Sequence, residues 1–341
     1  WRGEGVAGFA ATRQALQRAV AEAPVERQNL ARLDLARFYF AHGLAAEAVG
    51  LLELIRGADG GDPEEMLLSG ASQLLQGDLK TAAAELGNAA LDDESEAVLW
   101  RAALAASLGE WEPAAERFAR TVDLVDDYPK VIRSRLRLWG AEAQIEAGDP
   151  VGALDYLDRL RADAPTADEA AQIGYLEGQR TAREGRFIEA RDIWQRLTEN
   201  AHQPTRARAI FGITEIMLKN GEIDTRAAID RLERLRFLWR GGPFELALLR
   251  RLGQLYLAAD DARAGQAAQR PARRQFPGQR RGAGDRRGDE RGVPPTLSRR
   301  RRRRAAGADR GRPVRGVPRA DAGRRRRRPH DRGAGRPAGA G

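Results

Sequence analysis

Residues 136–157 read LRLWGAEAQIEAGDPVGALDYL, and the order of residue types in them decides the fold. An apolar, alanine-rich run stops at Gly148, and after Asp149 and Pro150 a second run places Ala153, Leu154 and Leu157 at helical spacing. Glycine ends the first run because it enters the left-handed conformation that closes a helix without a steric penalty. The stretch is thus a helix, a tight turn and a second helix. Ala141, seven residues before the glycine, is small enough for the two helices to approach closely. Leu157, nine residues after it, is bulky enough to fill the space between one hairpin and the next.

The same order recurs at Gly43, Gly77, Gly109, Gly148 and Gly185, with spacings of 34, 32, 39 and 37 residues. Five residues after each stands Ala48, Ala82, Ala114, Ala153 or Ala190, and nine after stands Leu52, Leu86, Phe118, Leu157 or Trp194. Seven before stands Ala36, Gly70, Ala102, Ala141 or Gly178. A sixth unit around Gly221 has its alanine, Ala228, two residues late. A seventh begins at Phe244, with Gly253 and Tyr256 in its first helix and a turn at Asp260–Asp261. Residues 9–23 read as one further amphipathic helix ending at Pro24. Thr166 with Glu169 forms a capping box, and Asp62 before Pro63 is a cap followed by a first-turn proline. The longer intervals at 121–134 and 224–243 predict extended helices or short loops. No alternating strand pattern occurs. A lone hairpin cannot bury its apolar face, so such units must stack.

This phased pattern resembles the tetratricopeptide repeat family over residues 26–260. The resemblance implies an all-α fold, an α-solenoid of stacked antiparallel helical hairpins. It also implies binding of another protein or peptide in the concave groove lined by the first helix of each unit. Ten residues before the turn glycines stand Leu33, Leu67, Leu99, Leu138 and Tyr175, and six before stand Arg37, Ala71, Ala103, Glu142 and Gln179. With Trp100 and Trp139 beside the first set, the expected partner-binding residues are Leu33, Arg37, Leu67, Leu99, Trp100, Leu138, Trp139, Tyr175 and Gln179. They describe an apolar groove with a few charges, suited to an amphipathic helix or an extended apolar segment. Tyr175→Ala is expected to weaken partner binding and spare the fold. Chaperone-binding members of the family hold a peptide's terminal carboxylates with Lys and Asn in such positions. Those residue types are absent here, so that clamp is not expected.

The net charge of +9 conceals two opposite regions. Residues 1–269 hold 33 basic and 43 acidic side chains, whereas residues 270–341 hold 25 arginines and 6 acids, with no Lys, Tyr, Trp, Ile or Met. The expected organisation is a leading helix at 1–25, the repeat array at 26–262 and a disordered Arg/Gly/Ala/Pro-rich tail at 263–341, too poor in apolar residues to offset its ordering entropy. Such a tail reads as a nucleic-acid or anionic-membrane arm, as a solvated tail, or as an out-of-frame translation of GC-rich bacterial DNA. The break inside the seventh hairpin and the all-arginine charge favour the last. A frame break there leaves Leu248, Leu249, Leu252 and Leu255 without their second helix and hence exposed. The nucleic-acid reading is the alternative function, tied to a genuine tail. A start at Trp1 leads us to expect a missing N-terminal part.

The chain has no cysteine, and His42, His202 and His330 do not share a metal-ligand spacing. No nucleophile elbow or phosphate loop occurs, and the only lysines are Lys80, Lys130 and Lys219. Adjacent carboxylates such as Asp92–Asp93 and Asp126–Asp127 sit at expected helix ends. The expectation is therefore no enzyme, no cofactor, no metal and no small-molecule substrate. No run of 18 apolar residues exists to span a membrane. The cell envelope is preferred over the cytoplasm as the expected location.

Overall fold

A computed structural model of the chain describes residues 8–55, 62–238, 242–261 and 263–265. The arginine-rich segment beyond them, with the disorder and the frame break expected of it, lies outside the described residues. Among the described residues there are helices and turns and no strand. α1 (Phe9–Glu22) leads into hairpins formed by α2 (Val25–Ala41) with α3 (Ala45–Ile55), α4 (Pro63–Gln76) with α5 (Leu79–Leu86), and α6 (Ser95–Leu108) with α7 (Trp111–Arg120). A short α8 (Val122–Asp126) precedes three more hairpins. These are α9 (Lys130–Ala147) with α10 (Gly152–Ala162), α11 (Ala167–Arg183) with α12 (Phe187–Asn200), and α13 (Gln203–Lys219) with α14 (Thr225–Leu238). α15 (Gly242–Ala258) opens a seventh unit. The array is an α-solenoid of tetratricopeptide-like hairpins.

Every turn is built alike. Gly43, Gly77, Gly109, Gly148, Gly185 and Gly221 have φ between 72° and 94°, and Asp260 takes the same place at 59°. The residue after each returns its N–H to the carbonyl five residues earlier, at 2.8–3.1 Å: Leu44 to Tyr39, Asp78 to Gln73, Glu110 to Ala105, Asp149 to Gln144, Arg186 to Thr181, Glu222 to Met217 and Asp261 to Tyr256. The bond satisfies a carbonyl that the end of the helix would leave unpaired. Aspartate can stand in at the seventh turn because its short polar side chain tolerates the left-handed region. Residues 263–265 follow as a helical turn capped by Asp261, whose carboxylate accepts from Ala264 N at 2.9 Å. Thr166 and Glu169 form the capping box, and Asp62 accepts from Glu64 N.

The small and bulky positions interlock across each hairpin. A Cβ placed on Gly70 would lie 2.7 Å from Leu86, on Gly140 2.7 Å from Tyr156, and on Gly178 2.2 Å from Trp194. Trp194 also reaches the following unit, where a Cβ on Gly212 would lie 2.5 Å from its ring. One tryptophan is thus held between α11 and α13.

The first three hairpins fill their own concavity. Every residue of α4 from Met66 to Leu74 is buried, so this helix is covered on all sides. Phe40 of α2 passes α4 to meet the Trp100 ring on α6 edge-on at 5.6 Å. Trp100 donates its indole N–H to the Tyr128 hydroxyl at 2.9 Å, and Tyr128 donates to Glu96 at 2.9 Å. The Gly43 turn lies against Val131 at the start of α9. The extended interval at 121–134 is α8, tied down by Arg137. This arginine, 6% exposed, reaches Asp126 at 2.7 Å and also Asp163. Arg133 grips both oxygens of Asp163 at 2.8 and 3.1 Å. The interval at 224–243 holds α14, an ordinary 14-residue helix.

α15 departs from expectation. Leu248, Leu249, Leu252 and Leu255 are buried, none above 4% exposure. Leu248, Leu252 and Leu255 cluster with Ala207 of α13 and Ile229, Leu232 and Leu235 of α14. A first helix turns its apolar face toward the preceding hairpin, so Leu248, Leu252 and Leu255 are covered by α13 and α14, while Leu249 lies apart from them beside Leu246. Among the described residues no helix is long and apolar enough to cross a membrane.

Candidate partner-binding groove

From α9 onward the first helices present a different set of side chains. Six residues before the turn glycines stand Glu142, Gln179 and Glu215, and two before stand Glu146, Arg183 and Lys219. The second and third hairpins have Ala71, Ala103, Leu75 and Ser107 at the same places. Charged and amide groups cannot be packed away as alanines can without losing hydration, and here the groove stays open. Between α11, α12, α13 and α15 it deepens into a cavity of about 510 Å³, whose apolar wall includes Tyr175, Phe187, Trp194 and Phe211. Its polar side is made by Glu146, Gln179, Arg183, Glu215, Lys219 and Arg251.

The carboxylates here are already engaged. Glu215 meets Arg251 at 2.8 Å. Glu146 meets Arg183 and accepts from Gln179 Nε2 at 3.0 Å. Glu142 on α9 meets Arg208 on α13 across the intervening α11, and the Arg208 guanidinium lies over the Tyr175 ring, 4.3 Å from its centre. This strut spans three first helices. Burial opposes the charge on Arg208, but Glu142 and Tyr175 together outweigh it and hold the guanidinium more firmly protonated than usual. Burial pushes the Tyr175 phenol up to about 12. It also raises the Glu146 carboxyl above its usual range in spite of Arg183.

Two cations are left over. Arg135 lies 4.8 Å from the centre of the Trp139 ring, and Lys219 lies 4.1 Å from the centre of the Phe187 ring. Neither forms an ion pair among the described residues. Packing around its base lowers the Arg135 pKa although the side chain is exposed, and Arg208 adds to this while Glu142 and Asp168 oppose it. Both side chains are exposed, and an exposed cation that lies on an aromatic face without a carboxylate partner is free to meet an anion.

The expected groove residues divide between core and surface. Leu33, Leu67, Leu99 and Trp100 are core, with Leu99 and Trp100 fully buried. Leu138 is 8% exposed. Arg37 is held by both oxygens of Glu64, at 3.0 and 2.7 Å, and by Asp34. Trp139 and Gln179 are half-buried in the open region, and the Gln179 Oε1 accepts no hydrogen bond. Tyr175 lines the cavity but is 6% exposed and stacks on Trp194 at 6.0 Å. Its replacement by alanine would remove core packing, so the substitution is not a clean probe of binding. Arg135, Glu146, Arg183, Arg208, Glu215, Lys219 and Arg251 were not anticipated; the columns six and two before the turn carried the signal of Glu215, Glu146, Arg183 and Lys219, but not of Arg135, Arg208 and Arg251. The groove is a charged rim around an aromatic cavity rather than an apolar trough.

The fold and the groove define a tetratricopeptide-like α-solenoid. No protein-family model matches the chain, and no curated protein does. Among solved structures it is similar to a tetratricopeptide repeat protein from Parabacteroides merdae, at 12% identity over 76% of this chain and 93% of that chain, with a TM-score of 0.40. It is also similar to a monomeric IFIT1 mutant with m7Gppp-AAAA, at 14% identity over 78% of this chain and 64% of that chain, with a TM-score of 0.45.

Proposed function

We propose that this protein is a binding scaffold for another protein, and that α9, α11, α13 and α15 hold a segment of that partner with an apolar side chain in the aromatic cavity. The observation that carries this reading is the open cavity of about 510 Å³ lined by Tyr175, Phe187, Trp194 and Phe211. Its volume lies within the range of about 300–1,000 Å³ in which ligand groups are commonly enclosed. Aromatic walls supply contact area at low entropic cost, which is why such residues dominate interfaces. Among the described residues no group of three His, Asp or Glu side chains is placed to hold a metal ion.

The chain has no cysteine, so a single introduced thiol can carry a photo-crosslinker without background. Gln179→Cys, labelled with benzophenone maleimide, should capture a partner protein from an extract of the source cells. The same label on Ile188→Cys, at an exposed position of α12, should not. Equal capture from both positions would contradict the reading.

A further inference from the structure

We infer that the partner segment is acidic on both sides of its apolar anchor, its carboxylates meeting Arg135 at one part of the groove and Lys219 at another. This rests on the groove reading above and adds to it the chemistry of the occupant. The inference follows from what the groove has left unpaired. Glu142, Glu146 and Glu215 are each matched by Arg208, Arg183 and Arg251. Arg135 and Lys219 form no ion pair among the described residues and lie over the faces of Trp139 and Phe187. The groove thus offers two exposed cations without an ion pair in a region, residues 1–269, that holds ten more acidic than basic side chains. A partner drawn to it must therefore be anionic at those two points and tolerate acid elsewhere. Gln179 Oε1, on the cavity wall between α9 and α13, lacks a donor and is suited to a backbone N–H of an extended segment.

A peptide fits these features better than a nucleic acid. A phosphate backbone presents a charge at every nucleotide and is matched by runs of Lys and Arg. Here three carboxylates stand among the cations, and a continuous polyanion would be repelled by them. Side-chain carboxylates can be spaced to meet two separate cations and to avoid the acids between.

The test is selection from a random peptide library displayed on phage, using the full chain and counter-selection against the full chain carrying Phe211→Asp, which spoils the cavity and leaves Arg135 and Lys219 in place. Counter-selection cancels whatever binds the arginine-rich segment, because both chains contain it. The surviving peptides should carry acidic residues on both sides of an aromatic or leucine residue. Each single variant, Arg135→Gln or Lys219→Gln, should weaken a chosen peptide about threefold, the effect of losing one ion pair at an exposed site. The double variant should remove the salt dependence of binding, with helical circular dichroism unchanged. Surviving peptides that are apolar without acids, and that bind equally to the charge variants but fail on a Phe211→Asp chain, would overturn the acidic occupant and leave the groove reading standing. Basic peptides would also overturn it. A single-stranded oligouridylate that loses affinity in the double variant, where peptides do not, would make the site one for nucleic acid and overturn it too. Failure of any peptide to depend on Arg135, Lys219 or Phe211 would sink both readings.

Discussion

Hairpins one to three and hairpins four to six end in the same turn and interlock small against bulky residues in the same way, yet their concave faces have opposite fates. In the first group α4 is buried along Met66–Leu74, and Phe40, Trp100 and Tyr128 meet past it. In the second group the matching columns hold Glu142, Gln179 and Glu215, and a cavity remains. A shared backbone pattern therefore sets the hairpin, while the size and charge of two columns decide whether the solenoid consumes its own groove. Uncharged residues at those columns in the second and third hairpins, Ala71, Leu75, Ala103 and Ser107, let first helices close upon each other, and charged and amide side chains prop them apart.

The neighbours of Leu99 and Leu138 give the sharpest way to break the comparison. Trp100 and Trp139 occupy the same place in successive units, one filling the closed concavity and the other lining the open one. Trp100→Ala should cost about 3–5 kcal/mol, as expected for deleting a fully buried aromatic side chain, read as a lowered midpoint in urea unfolding. Trp139→Ala should cost about 1 kcal/mol, in the range of changes at half-exposed sites. Equal costs would mean that the two regions are not distinct.

A smaller effect is expected at the junction between the regions. Asp163→Asn takes charge-assisted partners from Arg133 and buried Arg137, and should cost about 2 kcal/mol. The Arg133 hydrogen bonds hold the Asp163 carboxyl below its usual pKa, with Arg137 acting in the same direction. A depressed carboxyl contributes stability that is present above its unfolded pKa and is lost as pH falls through the folded one. The difference between wild type and variant should therefore be full at neutral pH and shrink below the ordinary carboxylate range. A difference that grew on acidification would refute the role of this carboxylate. The smallest effect is expected at Gly148→Ala. Its φ of 93° strains an L-residue although no atom would block the Cβ, and the cost should be about 1 kcal/mol.

Much of this was legible in the sequence. The turn glycines, the Thr166 capping box, the Asp260–Asp261 turn and the leading helix all follow from local rules of helix ends. The small residues Gly70 and Gly178 and their bulky partners Leu86 and Trp194 were legible as columns. The groove was less so. Leu33, Leu67 and Leu99 share a register with Tyr175, and periodicity gives a residue's face but not the curvature that decides what covers that face. Curvature here depends on long-range meetings such as Phe40 with Trp100, which no local pattern encodes. The Glu142–Arg208 strut joins residues two units apart for the same reason.

Because the chain contains no cysteine, the central contrast can be read directly from maleimide labelling of single thiols placed at one register position in different units. Ala71→Cys and Ala103→Cys should stay unreactive in the folded chain, and Gln179→Cys and Glu215→Cys should react readily and become protected when a selected peptide is bound. Comparable labelling at all four positions, or protection by that peptide at Ala71→Cys rather than Gln179→Cys, would contradict the account of a filled groove followed by an open one.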